Sequence, residues 1–319
     1  MNLLNYFFTV PFIYISILVF LSVTVYKIRS YQEMPRHLRW DLYPIPHLGT
    51  EGSKYQKLDF HNKAPFFSKA DEGKYLAQEM LFIKKAFVNN RKLWVGSWPL
   101  HIGIYLGAFW LALLLVGAIM EMGGIAVGTA TNVSLGWSVK QMTIIVGVVG
   151  FSAGMVGTLI LIWLRYKDEE LRYMADFVTY INLYLMLLVF GTGFAAWFTV
   201  DPFFDVIRLH TEGLLTFSGA SVSSLPIVFE MIAFSLFLCY LPFSRMMHFA
   251  AKYFFYHNIM WDDEAMKPGS KLEQDINVSL KYQLKWEASH ISSGDSWIDQ
   301  VVGTKETEGG KRDEKKNSH

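Results

Sequence analysis

Of the nine histidines in the chain, only His101 and His248 stand at the ends of long apolar stretches. Trp98-Pro99-Leu100 leads into His101, and Leu241-Pro242-Phe243-Ser244-Arg245-Met246-Met247 leads into His248. An imidazole in such a place can do one of two things. It can lie at the membrane surface and hydrogen-bond to lipid headgroups. It can also face inward and give one axial nitrogen to a haem iron, its other ring N–H then needing an acceptor of its own. His101 opens one stretch and His248 closes another, so if the two run in opposite directions both imidazoles reach the same depth. Helical bundles build cofactor sites from facing helices in this way. The residues alone leave both readings open.

Other side chains bear on the same choice. Arg91, Lys92, Arg245 and Lys252 fall towards the same face. Arginine binds carboxylates bidentately, so Arg91, Arg245 and Lys252 are candidate contacts for haem propionates. The preference for cations on the cytoplasmic side of membranes would place them there equally well. Tyr105, one turn from His101, can pack on a cofactor or on a neighbouring helix. Glu230 lies inside the last apolar stretch, where a charged carboxylate is costly and is therefore protonated or paired. It is a candidate for a proton or quinone role, or for an interhelical hydrogen bond. Asp201, Asp205 and Glu212 read as solvated loop residues, and Asp176 as a water-accessible residue abutting the fourth stretch.

The elements that must position these groups are apolar. The chain has 319 residues, 52% hydrophobic and 16% aromatic, with 18% charged, against roughly a quarter charged in soluble domains. Its mean hydropathy is +0.24. Five stretches, about 5–26, 99–120, 142–164, 177–199 and 222–244, have the roughly 20 residues that cross a bilayer. The first lacks a basic n-region and a small-residue cleavage site, and reads as an uncleaved span. Lysine and arginine crowd alternate connections. Residues 27–92 carry many, and 165–176 carries Arg165, Lys167 and Arg172. The 121–141 loop has only Lys140, and the 200–221 loop only Arg208. That pattern puts the N-terminus outside and the C-terminus inside. The expected fold is an all-α five-transmembrane-helix bundle. Its parts are a first helix (1–26), a cytoplasmic loop with a surface helix (27–98), a four-helix region (99–257) and a cytoplasmic tail (258–319). Lys74 to Trp94 reads as one amphipathic helix, lying on the membrane or presented to a partner. Thr304 to His319 reads as disordered. The single cysteine, Cys239, excludes an internal disulfide, a c-type haem attachment and an iron–sulfur cluster held by this chain alone. The net charge of +1 gives no reason to expect nucleic acid.

The five spans, with Trp98-Pro99-Leu100-His101-Ile102-Gly103 opening the second and Leu241 to His248 closing the fifth, resemble the membrane cytochrome b (gamma) subunit of respiratory nitrate reductase. They are similar also to the DsrM and TmcC subunits of sulfate reducers' electron-transfer complexes, to which the Arg39–His47 segment is closer. The resemblance covers roughly 1–260. It implies haem b ligated by His101 and His248. The family's second pair of histidines falls here on Leu111 and Glu230, so one haem is expected. An outer haem would need His210 with a methionine such as Met120 or Met122, and is not expected. The resemblance further implies a respiratory electron-transfer subunit in a prokaryotic inner membrane, not catalytic by itself. It would link the (mena)quinone pool to a cytoplasmic iron–sulfur subunit resembling heterodisulfide reductase, with further membrane or periplasmic cytochrome subunits as additional partners. The rival is a haem-free membrane anchor or scaffold for a soluble redox partner. Few mid-span charges and no visible repeat argue against a transporter.

Overall fold

Apolar runs of this length fold as helices because, away from water, each backbone N–H and C=O must be satisfied within its own segment. The computed structural model describes residues 3–38, 58–62, 68–128, 135–219, 221–261, 264 and 266–302, and these are helical with no strand among them. In chain order the helices are α1 (Leu3–Thr9), α2 (Pro11–Gln32), α3 (Lys69–Leu81), α4 (Lys84–Asn89), α5 (Arg91–Met122), α6 (Leu135–Lys167) and α7 (Glu169–Tyr173). They continue as α8 (Phe177–Thr199), α9 (Asp205–Leu215), α10 (Leu225–Tyr240), α11 (His248–Ile259), α12 (Lys271–Leu280) and α13 (Trp297–Val302). Five helical segments are long and apolar enough to cross a membrane: Leu3–Gln32, Arg91–Met122, Leu135–Lys167, Phe177–Thr199 and Leu225–Phe243. They coincide with the five expected stretches. α5 and α6 run further than the apolar run alone, and Pro99 lies inside α5 instead of opening it.

The chain divides into two units, one from Met1–Arg29 with Gly73–Ala251 and the other from Ser30–Glu72 with Lys252–His319. In the first, α5 and α6 touch backbone to backbone. A Cβ on Gly103 would fall on the backbone of Gly154, and one on Gly157 would meet the backbone of Leu100. Small residues allow this approach where lipid supplies no hydrophobic drive between helices. Around the seam Trp110, Phe151 and Phe204 form an aromatic cluster with ring centroids 5.0, 5.2 and 6.1 Å apart. Phe204 takes a left-handed backbone, φ 56°, and its ring is buried at 2% exposure.

The single helix expected over Lys74 to Trp94 is instead three pieces. Ile83 turns left-handed at φ 50° between α3 and α4, and the Asn90 side chain caps α5 by accepting the Leu93 N–H at 3.0 Å. An asparagine is a better start than a middle for a helix, because its side chain competes for backbone donors. The pieces are tied back onto α5. The Trp94 indole donates to the Phe82 carbonyl at 2.8 Å and the Tyr105 hydroxyl to the Met80 carbonyl at 2.5 Å.

In the second unit the start of the loop and the tail fold together. The Arg36 guanidinium donates to the His257 carbonyl at 2.6 Å and lies 3.4 Å from Asp275. The Ser279 hydroxyl donates to the Arg36 carbonyl and the Trp261 indole to the His37 carbonyl. Thus Arg36 and His37 are joined to the tail across more than two hundred residues. The Arg39–His47 segment and the Thr304–His319 stretch lie outside the described residues.

Candidate functional site

The structure brings His101 and His248 together. Their ring centroids are 6.0 Å apart and their planes inclined at 67°. His101 is half-buried on α5, and His248 is exposed at the start of α11, after two 3-10 turns (Leu241–Phe243 and Arg245–Met247) that carry the chain out of α10. Nδ1 of His101 lies 2.7 Å from the Ser97 carbonyl, and Nδ1 of His248 lies 3.1 Å from the Arg245 carbonyl. A carbonyl only accepts, so in each ring Nδ1 carries the proton and the lone pair sits on Nε2. That is the tautomer, and the kind of backbone partner, that metal-bound imidazoles use. Among the described residues no group of three or more His, Cys, Asp or Glu could hold an ion. The pair therefore offers two ligands, the number that an iron already held in the plane of a porphyrin still accepts. One turn before His101 on α5, the Trp98 indole N–H is buried with no hydrogen-bond partner among the described residues, a donor suited to a carboxylate such as a haem propionate. The donor set fits the group.

The candidate cations are placed differently from one another. Arg91 lies over the Phe87 ring, 3.6 Å from its centroid. Arg245 donates to Asp176 at 2.5 Å. Lys252 belongs to the second unit. Tyr105 has its ring 6.5 Å from that of His101, while its hydroxyl bonds to Met80.

The link between α6 and α8 carries two aspartates that each serve twice. Asp168 caps α7 by accepting the Leu171 N–H, and takes Lys92 at 3.3 Å. Asp176 caps α8 by accepting both the N–H and the hydroxyl of Thr179, at 2.9 and 2.7 Å, and takes Arg245. These bonds hold both carboxyls below the usual carboxylate range, chiefly the Leu171 N–H and then Lys92 for Asp168, and chiefly Thr179 and then Arg245 for Asp176.

The other end of the bundle is polar in a different way. Along α5 the 20 residues from His101 to Glu121 rise about 30 Å, and there Arg208 of α9 is almost enclosed. It meets Glu121 at 3.1 Å, Asp205 at 2.7 Å and the Val127 carbonyl at 3.2 Å. Burial lowers its pKa, and the two carboxylates more than offset that, so the guanidinium is held above its ordinary value. Lys140 closes the cluster on Asp205 at 2.9 Å. The expectation that Asp201 and Asp205 are simply solvated is therefore wrong. Asp201 is buried at 4% exposure three residues before the N-cap Phe204, and from there it accepts the N–H groups of Asp205 and Ile207 at 2.8 and 3.0 Å. Because it stands outside the N-cap position, local cap patterns do not single it out. Two of the three partners of Arg208, Glu121 and the Val127 carbonyl, are 87 and 81 residues distant and leave no local signal; only Asp205 is near in sequence.

Glu230 is half-buried on α10, within electrostatic reach of Asp201, and lies about 15 Å along the helix from the turns that lead to His248. The structure does not bring it to the histidine pair. His210 is buried at 4% exposure with Nε2 at 2.8 Å from the Thr9 carbonyl, which ties α9 to α1. Leu111 packs against the apolar core. No known protein family, curated protein or solved structure matches the chain, so the site rests on its geometry.

Proposed function

We propose that this chain is a haem b electron-transfer subunit of a membrane respiratory complex. It would lie in a prokaryotic cell membrane with its N-terminus outside and the histidine end inside. The observation that carries the reading is the facing His101–His248 pair, each ring fixed by a backbone carbonyl in the tautomer a metal requires. Haem b, when bound, supplies a one-electron couple with no open coordination position. The chain's own part is to hold two neutral imidazoles at a fixed separation and to keep their Nδ1 protons on Ser97 and Arg245. Trp98 offers a hydrogen bond to a propionate at the same level.

Electrons would pass between the (mena)quinone pool and a cytoplasmic iron–sulfur partner resembling heterodisulfide reductase, because one cysteine cannot hold a cluster. Glu230, at the far end of α10, is the carboxyl best placed to exchange protons with a quinone away from the haem. A reduced-minus-oxidised visible spectrum of the purified chain tests the reading. It should show one b-type haem per chain, lost in His101→Ala and in His248→Ala while both variants still insert. A folded, haem-supplied chain without that spectrum would leave the haem-free anchor instead.

A further inference from the structure

The ring of His248 hangs from a short series of bonds that begins in the α6–α8 link. Asp176 is fixed by one carboxylate oxygen, which caps α8 through Thr179. Its other oxygen takes the Arg245 guanidinium at 2.5 Å. Arg245 lies in the 3-10 turn just before His248, and its carbonyl receives both the backbone N–H and the ring Nδ1–H of His248. Ser244 secures the same turn by accepting the Met246 N–H at 3.1 Å. Releasing the Arg245 side chain from Asp176 would free the turn to shift, and with it the carbonyl that sets the direction and tautomer of the histidine.

We infer that Asp176 and Arg245 are positioning residues that aim the His248 imidazole, anchoring the turn that bears it to the first turn of α8. The inference rests on His101 and His248 being haem ligands. As an exposed ion pair, with side chains 42% and 69% accessible, the contact adds little to stability; its effect is directional. His248 needs such a device and His101 does not. His101 is held by ten residues of α5 on its N-terminal side, whereas His248 follows two 3-10 turns. The neighbouring Asp168–Lys92 pair, whose lysine is 75% accessible, serves as a control of the same charge type on the same link.

Two substitutions separate position from charge. Asp176→Asn keeps an N-cap oxygen for Thr179 and removes the anion. Arg245→Gln leaves the cap intact and removes the cation. The measurement is the low-spin ferric EPR spectrum and the midpoint potential of the purified haem-loaded chain, with haem per chain counted beside them. If the pair aims the ring, both variants shift the EPR g-values in the same sense, and Arg245→Lys, which keeps a cation for Asp176 and leaves the α8 cap intact, stays near the wild type. Asp168→Asn leaves them unchanged. If the two charges act only through space, Asp176→Asn and Arg245→Gln move the potential in opposite directions with g-values unaltered, and the inference is overturned. A shift in Asp168→Asn as large as that in Asp176→Asn also overturns it. Should either single variant lose haem outright, Arg245→Lys decides: haem kept at the wild-type level supports the positioning role, and haem lost there too refutes it. A wild-type chain without haem overturns the ligand reading and this inference together; haem with unmoved spectra overturns this inference alone.

Discussion

An imidazole has one proton to place, and its backbone neighbour decides where. At His101 the neighbour is the carbonyl one helical turn back, and at His248 it is a carbonyl in a 3-10 turn. The pair itself was legible in the sequence, because helix direction alone puts the start of one span beside the end of another. The aspartates that organise the link were not, since nothing in the sequence joins Asp176 to a residue 69 positions on. Their charge state is testable. Both Asp168 and Asp176 are held below the ordinary carboxylate value. A carboxyl with a depressed folded pKa contributes stability above its unfolded pKa of about 4. That contribution is lost as pH falls through the lower folded value. The difference in thermal midpoint between the wild type and the double variant Asp168→Asn, Asp176→Asn should hold steady from about pH 5 to 8, and close as pH drops below about 4. A difference still open at the acid end would mean that the asparagines act by shape and not by charge.

At the scale of the helices, two contacts hold the bundle for opposite reasons. The α5–α6 seam works by absence of side chains. An alanine at Gly157 gains helix propensity of about 1 kcal/mol, but its Cβ would strike the backbone of Leu100, which no rotamer change relieves. Gly157→Ala should therefore lower the thermal midpoint, by overpacking of about 1–3 kcal/mol, whereas Gly191→Ala, with nothing within 4 Å of the new carbon, should not. Equal midpoints in the two variants would show that the helices can separate freely. The α9 contact works by charge. Arg208 has a side chain only 7% accessible, so Glu121→Ala, which removes one of its two carboxylates and leaves Asp205 and the Val127 carbonyl, should cost about 1.5–3 kcal/mol, while the paired replacement Glu121→Leu with Arg208→Met should cost less. The order of the two unfolding midpoints checks this. Length and hydropathy made the five spans legible. They gave no sign that the Lys74 to Trp94 run would break, because the breaks come from a left-handed Ile83 and from Asn90 capping α5, both local events inside a continuous amphipathic pattern.

The molecule as a whole has two unlike ends, one with the histidine pair and the other with a sealed cluster of Arg208, Lys140, Glu121 and Asp205. Which end faces the cytoplasm decides what the histidines can reach. In the orientation proposed from the lysine and arginine count, the histidine end lies inside. The proposed cytoplasmic iron–sulfur partner requires that orientation, since it would dock on the side of the histidine pair. Replacing Cys239, the single native cysteine, leaves a background in which one thiol at a time can be placed. Ile125, exposed after α5, and Ser289, exposed in the tail, mark the two sides. A membrane-impermeant maleimide applied to intact cells should label Ile125→Cys, and should label Ser289→Cys only after the membrane is opened. The reverse pattern would put the histidine pair on the outer side, where the donor or acceptor would have to be a periplasmic protein and the tail could no longer serve a cytoplasmic one.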